Sequence, residues 1–382
     1  MSDSNKNSSK HIKLFIPGPT EVRPEILAAQ TEWMVGHRMP ECADLIGRIE
    51  PKLQQVFRTK ARVLISASSG TGLWEGASRS CVAKKVLHCV SGAFSSRWAE
   101  VSEMNGKEVE VLDVPWGAPV LPEMVTAKLA EGDFDAVAFV HNETSTGVTN
   151  PVQAIAQAIR ALPNGDDIII MVDSVSGVSG AELEVDAWDL DVVLTSSQKA
   201  FALPPGLAFA AVSDRALAKA KTVPNRGYYF DFVTMDKYLQ KNQTFATPAI
   251  SLLFALDKQL DDMLAEGVEA RWARHTAMRD VTLAWAEARG FELFATAVEY
   301  ASPTVSNLHN SLNVDISALN AFLRQRGMIL SNGYGDLKGK CIRIGHMGDW
   351  QVADIEELLA NVDDFLRQEG LLTAVDNPAT VA

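Results

Sequence analysis

From about residue 60 to 215, short apolar runs alternate with stretches of helical composition. Residues 62–66, 85–90, 108–112, 135–140, 167–172, 191–195 and 207–212 read as strands. Several carry valine and isoleucine on consecutive positions, the pattern of a strand covered on both faces. The intervening segments 72–83, 94–105, 121–131 and 152–161 read as helices. This alternation predicts an α/β fold with a mostly parallel central sheet flanked by helices. Ligands of such sheets lie beyond the carboxyl ends of the strands, which directs attention to the loops 67–72, 141–148, 173–180 and 196–199.

The texture changes after residue 245. Thr247-Pro248 opens a long amphipathic helix ending near Gly267, with Thr247 as its cap and proline in the first turn. A second helix runs from about 268 to 289 and stops at Gly290. Short strands at 311–314, 328–331 and 341–345 follow, with helices near 316–326 and 351–368. The division expected is a disordered N-terminal tail over residues 1–13, a large domain with an N-terminal arm over 14–255, and a smaller C-terminal α+β domain over 256–382.

The net charge of −13 argues against nucleic acid or an anionic membrane as partner. No apolar run approaches the ~20 residues that span a bilayer, and the N-terminus lacks the apolar stretch of a secretory signal. The four cysteines, Cys42, Cys81, Cys89 and Cys341, show no CxxC spacing, which points to reduced thiols, a cytoplasmic location and no metal site.

Two residues stand where strands end: Asp173, closing Ile-Ile-Ile-Met-Val-Asp, and Lys199, in Ser196-Ser197-Gln198-Lys199. Both are costly to bury unless paired or used. Pyridoxal phosphate needs such a pair, a lysine amine for its Schiff base and a carboxylate to keep its ring nitrogen protonated. An ordinary ion pair is the plain alternative. Ser68-Ser69-Gly70-Thr71-Gly72, between a strand and a helix, suits a phosphate or simply a capped turn. Phe94 could stack on a planar ring or belong to the core. The cluster His141-Asn142-Glu143-Thr144-Ser145-Thr146-Gly147 offers hydroxyls to a ligand or to its own turn, with His141 in a minor role. Arg343, in an alternating strand before a glycine-rich turn, offers a fork to a carboxylate or a structural salt bridge.

Together these segments resemble the class V aminotransferases, fold-type I pyridoxal-phosphate enzymes, and most of all the alanine–glyoxylate and serine–glyoxylate branch. The matching pieces are Pro17-Gly18-Pro19-Thr20, His37-Arg38, Ser69-Gly70-Thr71, Glu143-Thr144-Ser145-Thr146-Gly147, Val172-Asp173-Ser174-Val175, Ser197-Gln198-Lys199 with Pro204-Pro205-Gly206, Thr247-Pro248 and Arg343-Ile344-Gly345. They run in the family's order from residue 14 to about 348.

The resemblance implies that Lys199 carries the cofactor and shuttles the proton while Asp173 pairs with the ring nitrogen. Phe94 would lie against the ring and Thr144 would contact its phenolic oxygen. Ser69, Gly70, Thr71 and Gln198 would hold the phosphate, helped by Gln243 and Thr247 of a neighbouring subunit. Arg343 would clamp the substrate carboxylate, with the backbone near Gly18 closing over it and Arg38 reaching the partner's site across a homodimer interface. The reaction implied is a ping-pong transamination between a small amino acid such as alanine or serine and a 2-oxo acid such as glyoxylate or pyruvate. The absence of an obvious second basic group near Arg343 favours a short monocarboxylic donor. Rival readings are another reaction on this scaffold, an aspartate or aminophosphonate transaminase, a lyase or a desulfurase using Cys341, and a non-catalytic subunit of the same fold. A nucleotide-binding module fails for want of a GxGxxG or GK[ST] pattern.

Overall fold

The valine-, isoleucine- and alanine-rich runs pair into one seven-stranded sheet in the computed structural model, which describes residues 11–372. Its spatial order is Arg62–Ser66, Ala208–Val212, Val192–Ser196, Ile169–Asp173, Ala136–Val140, Lys85–Val90 and Glu108–Asp113. All neighbours pair in parallel except Ala208–Val212, which runs antiparallel to both of its own. The four strands Ala136–Val140, Ile169–Asp173, Val192–Ser196 and Ala208–Val212 are buried at every position. A strand with no solvent face has no place for alternating polar residues, which is why these read as unbroken apolar runs. The edge strand Glu108–Asp113 has no fully buried position and carries Glu108, Glu110 and Asp113.

A second sheet has the order Lys13–Phe15, Met328–Asn332, Cys341–Gly345, Val305–His309. The N-terminal strand joins it in parallel; the other pairs are antiparallel. The arm crosses this sheet so closely that a Cβ on Gly345 would lie 2.3 Å from the Ile16 carbonyl oxygen. Buried apolar residues gather mainly in two clusters, one running from Ile26 to Met263 and one joining Phe15 to residues between Met278 and Leu366. The boundaries read from the sequence therefore fall inside elements: Lys13 opens a strand, and position 255 lies within the helix Ile250–Glu266. Residues 1–10 of the expected tail lie outside the described residues.

Two local expectations are corrected. The strand placed at 311–314 is instead Val305–His309, because Asn310 closes a turn there, its side chain accepting from the Val314 amide and donating to the Val314 carbonyl, both at 2.9 Å. Thr247 does not cap the helix it precedes. That helix begins at Ile250 with Ala249 at its N-cap and no side-chain cap bond, leaving Thr247-Pro248 in the irregular segment before it. The sequence reading also passed over the helix Pro40–Phe57, whose Cys42, Leu45, Ile46, Ile49, Leu53 and Val56 form a buried stripe at three- and four-residue spacing.

Candidate active site

The parallel sheet brings the ends of neighbouring strands together, and the residues just beyond them converge. Asp173 and Ser196 are the last residues of adjacent strands, and Lys199 follows three positions on. Thr144 lies in the hairpin formed by Asn142–Glu143 and Val148–Thr149. Lys199 Nζ donates to Thr144 Oγ1 at 3.3 Å, and that hydroxyl meets Ser176 Oγ at 2.6 Å. The Phe94 ring centroid lies 5.3 Å from Lys199 Nζ. Gly18, at a φ of +100°, presses against the lysine stem, where an added Cβ would sit 3.2 Å from both Lys199 Cδ and the Gln198 carbonyl oxygen. Ser69, Gly70, Thr71, Phe94, Thr144, Asp173, Gln198 and Lys199 line one cavity, together with Trp74, Ser176 and Ser196.

Neither Asp173 nor Lys199 is in an ion pair among the described residues, so the plain alternative of a structural salt bridge does not account for them. The Asp173 carboxylate accepts from the Val175 amide at 2.7 Å and from Trp74 Nε1 at 2.9 Å. Burial nevertheless pushes its pKa up to about 6. Burial pushes Lys199 down to about 8, with the Asp173 charge opposing the fall. A buried amine that loses its proton this readily is a nucleophile near neutral pH.

Three further polar atoms on this side of the sheet are buried without a partner: Ser196 Oγ, Gln198 Oε1 and Asn142 Nδ2. Orphans of this kind cost about 1–3 kcal/mol each unless a ligand satisfies them. The helix Gly70–Cys81 starts two residues earlier than its sequence suggests, so Gly70 and Thr71 form its first turn, where amide N–H groups have no intrahelical acceptor. Ser69 at the N-cap makes no side-chain cap bond. A Cβ at position 70 would stand 2.7 Å from Val175 Cγ2 and force that side chain to shift. An anion with several oxygens matches this corner.

Arg343 is 8% exposed. Its Nε donates to the Asn332 carbonyl at 2.9 Å and its Nη1 to the Thr144 carbonyl at 3.1 Å. No carboxylate lies within ion-pair distance among the described residues, and burial pulls its pKa down. Neutral carbonyls fix the guanidinium in place and leave its charge uncompensated, as a carboxylate receptor requires. Tyr334 packs 5.5 Å from the guanidinium, and Arg97 Nη2 donates to the Tyr334 hydroxyl at 2.7 Å.

Arg38, Gln243 and Thr247 are not brought to this cavity, and Gly18 and Arg343 stand beside it, against Lys199 and Thr144, without lining it. Arg38 is exposed and donates to the carbonyls of Thr244 and Phe245 at 2.6 and 3.0 Å. Thr247 is exposed and Gln243 half-buried, and neither lines the Lys199 cavity. His141 is buried against Ser174 Oγ at 2.9 Å, and desolvation pushes its pKa down to about 4. Cys341 is buried within a strand, its thiol pushed up to about 11, the opposite of an activated cysteine on a mobile loop.

Sequence reasoning missed Trp74, Ser176, Ser196 and Glu143. Trp74 follows Gly70 by one helical turn, a spacing that would have placed it beside the same ligand loop. Glu143 lay in a motif already singled out but was given no task. Its buried carboxylate accepts from the amides of Phe94 and Ser95 at 3.3 and 3.0 Å and from the Ser145 hydroxyl at 2.6 Å.

Residues 49–342 match the family described as Aminotransferase class-V. A serine–glyoxylate aminotransferase of Hyphomicrobium methylovorum is 35% identical over 88% of this chain and 84% of its own. A protein of a Synechococcus species named soluble hydrogenase, small subunit, is 34% identical over 94% of this chain and 93% of its own. The crystal structure of an aspartate aminotransferase from Thermus thermophilus matches with a TM-score of 0.85 at 28% identity, covering 93% of this chain and 99% of that one. With the acid and the lysine at or just beyond the strand ends of the parallel sheet and the uncompensated arginine on a strand of the second sheet, the chain belongs to the class V aminotransferases.

Proposed function

We propose that this chain is a pyridoxal-phosphate-dependent aminotransferase that carries the amino group of a short L-amino acid, of alanine or serine type, to a 2-oxo acid such as glyoxylate or pyruvate. The observation that carries the reading is the pairing of Lys199, buried without an ion pair, with the uncompensated charge of Arg343 across Thr144. Pyridoxal phosphate fits the residues present: the orphaned atoms of Ser196, Gln198 and Asn142 and the free first turn at Gly70 lack partners that a phosphorylated ring would supply. Lys199 and Asp173 would hold it at amine and ring nitrogen, Phe94 and Thr144 at the ring, and Ser69, Gly70, Thr71 and Gln198 at the phosphate. When bound, the cofactor supplies an aldehyde for the amino group and a ring that accepts the electrons left by a departing proton.

The chain's own residues then have distinct tasks. Arg343 binds the carboxylate of donor and acceptor and so orients their α-carbon. Lys199 Nζ would take the α-proton of the donor and deliver it to the cofactor within the same half-reaction, and in the other half would hand a proton to the α-carbon of the acceptor; an amine with a pKa near 8 can do both at neutral pH. Asp173, once a cation faces it, stays ionised and keeps that cation protonated. The arm at Gly18 lies over the lysine stem and excludes water from it.

The working unit we infer is a homodimer, with Arg38, Gln243 and Thr247 serving the partner's site. Supporting this, Trp33 is 91% exposed, Met34 69% and Tyr228 82%, on the segments that Arg38 ties together. Bare aromatic surface of this kind is the mark of an association face. A cytoplasmic location is supported by four unpaired cysteines, and no helix among the described residues is long and apolar enough to cross a membrane. A subunit role in another complex has the names of two relatives in its favour and the intact constellation against it.

Steady-state assays test the reading: cofactor-loaded enzyme given glyoxylate with L-serine, L-alanine or L-aspartate should form glycine with at least one donor. A Lys199→Ala variant should form none. Glycine formation that survives that substitution, or none from the parent enzyme with any donor, overturns it.

A further inference from the structure

Beside the carboxylate anchor and Phe94 stands a side chain that the tasks above leave unused. Tyr334 lies in the turn joining Met328–Asn332 to Cys341–Gly345, half-buried. Its ring centroid is 5.1 Å from that of Phe94 and 5.5 Å from Arg343 Cζ, while Phe94 itself is 5.3 Å from Lys199 Nζ. The ring therefore borders both the group that fixes the substrate carboxylate and the aromatic face beside the amine that reacts at the α-carbon.

Its position is held by a second residue. Arg97, on the helix Ala93–Met104, donates to the Tyr334 hydroxyl at 2.7 Å and lies 6.0 Å from its ring centroid and 5.6 Å from that of Phe94. Arg97 is in no ion pair among the described residues, so the phenol is where its hydrogen bonding goes. Two guanidiniums thus flank one ring, an arrangement that restrains an aromatic on an otherwise irregular turn between Gly333 and Gly335.

We propose that Tyr334 is the specificity-determining residue of this site, with Arg97 as its positioning residue: the ring walls off the space into which the substrate side chain extends and restricts the enzyme to short 2-oxo acids and amino acids. Carboxylate and α-carbon are fixed at two points, so the third substituent meets whatever borders both, and that border is a rigid aromatic. A longer side chain has to displace the ring and break its bond to Arg97. Discrimination by such walls runs at roughly 10- to 200-fold per methylene. The inference rests on the roles given above to Arg343 and Lys199.

Calorimetric titration of cofactor-loaded enzyme with pyruvate, 2-oxobutyrate and 2-oxohexanoate tests it, because these acids bind without reacting while the enzyme has no amino group to give. Wild type should bind 2-oxohexanoate at least ~10-fold more weakly than pyruvate. Tyr334→Ala should narrow the gap to within about 3-fold by tightening the long acid, while Tyr334→Phe and Arg97→Ala, which each remove the bond that positions the ring but keep the ring itself, should both fall between. Donor half-reactions with L-alanine and L-norleucine should follow the same order. An unchanged gap in Tyr334→Ala, an equal loss in Tyr334→Phe, or no gap in wild type overturns the inference and leaves the aminotransferase reading standing. Failure of that reading has a different signature: no 2-oxo acid binds wild type, no donor reacts, and Arg343→Ala alters neither result.

Discussion

Lys199 and Asp173 owe their properties to burial acting on opposite charges in one cavity. Burial lowers the lysine to about 8 and raises the acid to about 6, so each is closer to its neutral form than in water. For the cofactor-free protein this predicts that the rate of pyridoxal phosphate capture climbs as pH rises through about 8 and then levels, rather than climbing toward the ordinary lysine range. A rate still rising steeply above pH 9.5 would contradict it. Asp173 has the converse consequence for stability. Between its ordinary value of 3.8 and about 6 the folded state binds more protons than the unfolded state, so the group's contribution falls as pH rises through that window. Asp173→Asn removes this fall. Urea unfolding of the cofactor-free variant should therefore gain on wild type by on the order of 2 kcal/mol between pH 4.5 and 7. At Arg343, substitution by alanine should raise the donor KM at least ~10-fold while bound cofactor stays stoichiometric. Unchanged donor kinetics would remove the arginine from the site.

At the scale of elements, one carboxylate ties the site to its scaffold. Glu143 ends a two-residue strand and receives the first-turn amides of the helix Ala93–Met104, fixing Phe94 on one side and Thr144, its own neighbour, on the other. A buried anion at a helix N-terminus is favoured by the free N–H groups and by the helix dipole. Glu143→Ala leaves those donors buried and unsatisfied and should destabilise the fold by roughly 2–4 kcal/mol in urea unfolding. A loss below about 0.5 kcal/mol would show that the loop is held otherwise. The same elements show what was legible in the sequence. Strands such as Ile169–Asp173 declared themselves because burial on both faces leaves only apolar residues. Asp173 and Lys199 stood out because charge at the end of such a run has to be explained, Thr144 as part of a polar cluster in a ligand loop, and Arg343 as an arginine among apolar neighbours in a strand. Tyr334 and Arg97 did not: they are 237 residues apart and meet only when the C-terminal turn folds over the Ala93–Met104 helix. The turn at Asn310 was likewise hidden, since a side chain bonding its local backbone leaves no periodic signal.

Across the whole molecule, the net charge of −13 opposes the approach of anionic substrates, while Arg343 and Arg97 set two cations against one ring, that of Tyr334. Local charge in a low-dielectric cleft outweighs a distant surface field screened over about 8 Å at physiological salt. The other whole-molecule feature is the exposed face with Trp33, Met34 and Tyr228. Introducing Trp33→Glu together with Met34→Glu should convert a dimer to monomers in light scattering and depress cofactor retention, since Thr247 and Gln243 lie outside their own chain's cavity. An unchanged mass would move the association face elsewhere.

The most direct measurement is the visible spectrum of the cofactor-loaded protein through one full cycle. A band near ~400–430 nm should bleach on adding L-alanine or L-serine without acceptor, and return on adding glyoxylate or pyruvate. Bleaching and recovery establish both half-reactions in the order a transaminase requires. A protein that shows no such band with excess cofactor, or whose band ignores every donor, contradicts the assignment of Lys199, Asp173 and Arg343 to amino transfer.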